Sequence, residues 1–133
     1  MYQLRKAPYG VRINFEETVT AEEMKRFDQD ATAMLANLPA NFGVLVDERK
    51  LRPGGIPTGS EAEQILGKVQ NKYRVRGMKR SCVILQSASV TMQMERRARE
   101  SGILNVERYI NAKEEPHWET KALAWIEQGK DPN

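Results

Sequence analysis

Nucleophilic or metal chemistry in this chain would have to run through very few residues. There is one cysteine, Cys82, and one histidine, His117. Cys82 sits in the apolar run Ser81–Leu85 (SCVIL), where a buried, inert thiol is the simpler expectation than a nucleophile. A single cysteine also excludes an internal disulfide and the multi-cysteine metal patterns. His117 stands beside Trp118 with no cysteine or second histidine at ligand spacing, so a metal centre is not expected. Nothing marks a nucleophile elbow that this histidine would serve. Acid–base catalysis would need a cleft with His117 or with paired carboxylates of displaced pKa, and sequence spacing sets up no such pair. The chain therefore reads as a non-enzyme without a cofactor.

Binding chemistry has more candidates, and they concentrate in Asp47–Ser60. Asp47 closes the apolar run that starts at Phe42 (FGVLVD) and would cap local backbone donors or orient a ligand. Arg49, Lys50 and Arg52 would suit an anionic ligand or an acidic partner, although most such charges are simply solvated. Leu51 and Ile56 are apolar side chains in a polar stretch, suited to anchor it or to line a pocket or partner surface. Thr58 and Ser60 are hydroxyls near a helix start, where free N–H groups and the helix dipole favour a phosphate. Ser60 pairs with Glu63 as a capping box, so capping alone accounts for it; Thr58 is the less constrained phosphoacceptor candidate. Gly54–Gly59 matches G-x-x-x-x-G, but a nucleotide P-loop needs Lys after the second glycine. Pro57 also removes a backbone donor, so the match is coincidental.

The elements that must hold these residues follow from periodicity. Residues 2–7 and 11–16 flank Pro8-Tyr9-Gly10 and predict a β-hairpin. Thr20 and Glu23 form a capping box, with Val19 and Met24 placed as a hydrophobic staple. Met24, Phe27, Ala31, Met34, Leu35 and Leu38 then share a helical face ending at Pro39. Phe42–Asp47 is a buried strand. After Glu48–Gly59 comes a helix with Ala62, Ile65, Leu66, Val69 and Tyr73 inward and Gly77 at C′. Ser81–Leu85 is the next strand. Residues 88–102 favour helix with Gly102 as its stop, and Val106–Ile110 is a short strand. A last helix covers about 113–128, with Pro116 in or near its first turn and Trp118 and Trp125 on its packing face.

The order β-β-α-β-α-β-α-β-α predicts an α/β fold, a mixed, mainly parallel sheet with about four helices. One domain spans residues 1–133. With 40% hydrophobic and 29% charged residues, the composition is that of a globular chain, not a disordered one. A net charge of +3 does not demand a polyanionic partner. The basic stretch Lys72, Arg74, Arg76, Lys79 and Arg80 has only Tyr73 beside it, too little stacking for a nucleic-acid reader, and suits a helix C-terminus. No apolar run is long enough to span a membrane, and no signal-peptide core opens the chain; a cytoplasmic location is expected.

The element order, TAEEMKRF leading into the first helix, FGVLVD with its aspartate, RRARESG and the C-terminal KALAWI together resemble the STAS domain. More closely, the chain resembles small stand-alone bacterial proteins described as stage II sporulation protein AA-like, anti-sigma factor antagonist-like. The resemblance covers nearly the whole chain. It implies a mixed sheet with helices packed around it and a regulatory role in protein–protein interaction. In classical members a strand ends in Asp-Ser-Ser/Thr-Gly, and a partner kinase phosphorylates a serine there. Asp47 matches the aspartate, but Glu48-Arg49 stands in place of the hydroxyl residues, so that phosphoacceptor does not carry over.

The sequence thus suggests an interaction module that docks a protein partner through the edge at 47–60. The alternative is a binder of a small apolar or lipid-like molecule, with Leu51, Ile56, Met92 and Met94 lining a cavity between that loop and the third helix. A small regulatory domain with apolar loop residues is also suited to forming a homodimer.

Overall fold

A computed structural model describes residues 1–133. Five strands and four helices alternate as expected: β1 (Tyr2–Ala7), β2 (Gly10–Glu17), α1 (Ala21–Leu35), β3 (Gly43–Leu51), α2 (Glu61–Arg76), β4 (Arg80–Leu85), α3 (Ala88–Ser101), β5 (Glu107–Asn111) and α4 (Trp118–Gln128). The sheet runs β1-β2-β3-β4-β5 in spatial order. β1 and β2 form the antiparallel hairpin, and the other three pairings are parallel. No helix is long and apolar enough to cross a membrane.

The local signals act where the sequence places them. Thr20 caps α1 through a reciprocal box with Glu23, and the staple residues Val19 and Met24 are both buried. Gly77 and Gly102 end α2 and α3 in the left-handed region. Two details differ. Glu63 accepts from the Gly59 N–H, not from that of Ser60, so Ser60 caps α2 without closing the box. The last helix begins at Trp118, and Pro116 lies in the turn before it.

Each strand divides its side chains between two layers. One face of the sheet carries Val11, Ile13, Phe15 and Val44 against α1 and α2, and Val83, Leu85 and Tyr109 against α3. The opposite face carries Leu45, Cys82, Ile84 and Ile110 beneath α4 alone. Cys82 is fully buried there, and burial pushes its thiol pKa up.

Close approach of α4 depends on Gly43. A Cβ at that position would lie 2.2 Å from Ile126 Cγ2, far inside contact distance. Gly43→Ala is expected to destabilise the protein by about 1–3 kcal/mol, the usual range for overpacking. Urea denaturation reads this directly; a loss below about 0.5 kcal/mol would mean that α4 shifts freely.

The largest departure from expectation is the length of β3. It does not stop at Asp47 but continues to Leu51. β4 pairs with it only as far as Asp47. Beyond that, β3 carries one extra residue opposite Asn14–Glu16, and Glu16 and Glu17 then pair with Lys50 and Leu51. The connection to α2 is therefore Arg52–Ser60. Its start is tied down by Arg52 N–H to Glu17 O and Val19 N–H to Gly55 O, both 2.9 Å.

Candidate functional site

The residues singled out in the sequence fall into three places. Asp47, Arg49, Lys50 and Leu51 belong to β3, not to a loop. Arg52, Ile56 and Thr58 lie in the connection, and Ser60 caps α2. Asp47 is 4% exposed on the α4 face. Its carboxylate accepts from Arg12 Nη2 at 3.0 Å, from Arg49 Nη2 at 2.9 Å and from the Arg49 backbone N–H at 3.0 Å. Burial alone would raise its pKa. The hydrogen bonds from Arg49 and the charges of Arg49 and Arg12 outweigh burial and hold it below the ordinary carboxylate range. Arg49 also lies over Trp118, 4.2 Å from the ring centroid. One edge of its guanidinium and its flat face are thus engaged within the molecule.

Of the remaining cations, Arg52 pairs with Glu17 at 2.8 Å and Lys50 stands 3.9 Å from Glu16. Leu51 and Ile56 pack against the core on the α1–α2 side. They anchor the chain and do not line the main cavity with Met94. Met92 is 70% exposed. Of the four expected lining residues, Met94 alone borders the main cavity, which lies elsewhere.

The cavity lies over the sheet between α2 and α3. α2 packs on α1 and α3 packs on β5, which leaves the sheet between them uncovered. The space is about 220 Å³ and its walls are mostly hydrophobic, including Val46, Val69, Val83, Met94 and Ile103. Gln70, Arg74, Arg97 and Ser101, all exposed, stand among its lining residues and form a polar rim.

Three ionisable side chains project into this apolar space from the sheet. Glu48 follows Val44 and Val46 on the same side of β3, and it borders the cavity with them. It is half-buried by area, with the apolar lining of the cavity around it. Burial first, then the charges of Glu107 and Asp47, push its pKa up from 4.5 to about 7. From β5, Glu107 accepts from Ser81 Oγ at 2.8 Å and from Tyr109 Oη at 2.5 Å. The Tyr109 hydroxyl is pushed upward, by burial and then by Glu107.

The sequence reading missed Glu48, Glu107 and Tyr109. Glu48 and Glu107 sit on strands separated by β4, so no spacing rule links them. A parity signal was present, however. In V-x-V-x-E, Glu48 occupies a position whose two predecessors face the core. A carboxylate at such a position must either be paired or border a cavity.

His117 precedes α4 and makes no side-chain capping bond. No three His, Cys, Asp or Glu side chains are grouped to hold a metal ion. No family model matches the chain, and no curated protein matches it.

Proposed function

We propose that this protein binds a small apolar or amphiphilic molecule in the cavity between α2 and α3. The observation that carries the reading is an apolar space of about 220 Å³ with an unpaired carboxylate in its wall. Interiors are normally packed with few voids larger than a water molecule. An engineered apolar cavity of about 150 Å³ is enough to hold benzene or xenon. Drug-sized ligands occupy pockets of about 300–1,000 Å³, so the ligand here is smaller, or part of it projects past the rim.

Toluene is a suitable neutral probe. In an NMR titration of the wild type it is expected to give saturable shifts confined to cavity-lining residues such as Val83, Ala98 and Tyr109. Val83→Phe should fill the space and abolish them, with the remaining spectrum preserved. Should that variant not fold, Ala98→Leu fills the same cavity with less added volume. The absence of saturable shifts in the wild type would sink the reading. Native mass spectrometry of freshly purified protein then addresses the natural ligand.

A second reading keeps the STAS-like regulatory module, which the element order and mixed sheet support. The observation favouring it is the connection after β3. Leu51 and Ile56 hold it down while Arg52 and Thr58 remain exposed beside exposed Lys50, a fixed surface for a protein partner. Replacing Lys50, Arg52 and Thr58 with Ala leaves the cavity untouched. Loss of a specific partner from pull-downs with that variant supports docking; an unchanged partner set counts against it.

A further inference from the structure

We propose that the ligand of the α2–α3 cavity is a small amphiphile whose polar end is an ammonium group, seated against Glu48. The inference rests on the cavity being a ligand site and adds the chemistry of the head group.

Two of the polar side chains lining the cavity, Glu48 and Glu107, are carboxylates. The Glu48 carboxylate has no hydrogen-bond donor and no cation against it; the charged groups that act on it are the carboxylates of Glu107 and Asp47. Glu107 is already held by Ser81 Oγ and Tyr109 Oη, which are neutral donors. Two carboxylates therefore face one apolar space with no ion pair between them and any cation of the protein. An unpaired charge in such a place is costly, and an incoming ammonium supplies what is missing: a positive charge and several donors. A carboxylate head at the same position would add a third negative charge. Arg74 and Arg97 also line the space and are exposed; the charge of Arg74 reaches the Tyr109 hydroxyl, but neither arginine is paired with Glu48 or Glu107.

The size of the space sets the tail. At about 30 Å³ per water-sized group, 220 Å³ takes roughly seven heavy atoms. Hexylamine has that many, and 1-hexanol and hexanoate serve as neutral and anionic counterparts.

The groups around Glu48 also fix the pH response. These are Glu107 and Tyr109 of β5, Tyr73 and Arg74 of α2, Arg97 of α3, and Asp47 on the opposite face of its own strand. Burial pushes Tyr73 up to about 12 and Tyr109 upward as well, so neither changes charge below pH 9. Glu48, raised to about 7, is the group that ionises in the middle of the range. An alkylamine keeps its proton until about pH 10, as lysine does. Hexylamine affinity should therefore rise by on the order of 100-fold between pH 5 and pH 8.

The test is an NMR titration of hexylamine, 1-hexanol and hexanoate into the wild type, Glu48→Gln and Glu107→Gln at pH 5 and pH 8. In the wild type at pH 8, hexylamine should bind at least tenfold more tightly than 1-hexanol, and hexanoate more weakly than either. Glu48→Gln should remove that preference and its pH dependence while 1-hexanol affinity changes less than about threefold. Glu107→Gln should weaken hexylamine to a lesser degree. Equal binding of hexanoate and hexylamine, or undiminished hexylamine binding to Glu48→Gln, would overturn the head-group assignment and leave the cavity reading standing through 1-hexanol. Failure of all three to bind the wild type would overturn both.

Discussion

Glu48→Gln is expected to be more stable than the wild type at pH 8 and to lose that advantage at pH 4. The folded pKa of Glu48 is raised from 4.5 to about 7. Between those values the folded state holds a proton that the unfolded chain has released. Stability present below pH 4.5 is therefore lost as pH rises through the window up to 7, and the curve is flat above it. The size of the step is about 3 kcal/mol, from roughly 1.4 kcal/mol for each tenfold difference in proton affinity between the folded and unfolded states. Glutamine keeps the shape and removes the titration. Urea denaturation of both proteins at several pH values isolates this residue, because contributions common to the two chains cancel in the difference. A wild type and variant whose stabilities run parallel from pH 4 to pH 8 would show that the carboxylate is solvated, and with it that the cavity is open water.

The neighbouring residue should behave in the opposite sense. Asp47→Ala is expected to cost about 3–5 kcal/mol at pH 7, the range for removing one partner from a buried ion pair. Arg12 has a side chain only 14% exposed, and after Asp47 is lost its remaining acid is Glu119, which is 57% exposed. Arg49 would lose both its side-chain and its backbone acceptor. Because the folded pKa of Asp47 is depressed, its contribution is present above the ordinary aspartate value of 3.8 and falls away as pH drops through the folded pKa. The gap between wild type and Asp47→Ala should therefore narrow in acid, where that between wild type and Glu48→Gln is also small. Chemical denaturation at pH 7 and pH 3 provides the comparison. A cost below about 1 kcal/mol at pH 7 would mean that the two arginines find other partners or reach water.

These opposite shifts at consecutive positions come from alternation along β3. Asp47 faces α4 and two arginines; Glu48 faces the gap between α2 and α3. Alternation also explains which parts of the molecule could be read from the sequence. Capping boxes, the Gly77 and Gly102 stops and the apolar strand runs are local, and the element order follows from them. The end of β3 was misread because Asp-Glu-Arg-Lys is polar, and polarity usually marks a loop. Here the strand leaves the cover of β4 and pairs only with the end of β2, where charged side chains can reach solvent or one another. The cavity was not legible for a different reason. It exists because α2 and α3 lean on different neighbours, and no residue of either helix announces that. Glu48 and Glu107 become neighbours only through the sheet order. The basic residues Arg49 and Arg52, which drew attention in the sequence, are occupied by Asp47, Trp118 and Glu17.

The single cysteine gives the two layers of the molecule separate voices. Cys82 lies wholly beneath α4 on the face opposite the cavity, with its thiol held in the unreactive form by burial. A thiol reagent reaches it only when α4 lifts from the sheet. Its labelling rate therefore clocks the detachment of one helix, and it is insensitive to any breathing of α2 and α3 that admits a ligand on the other side.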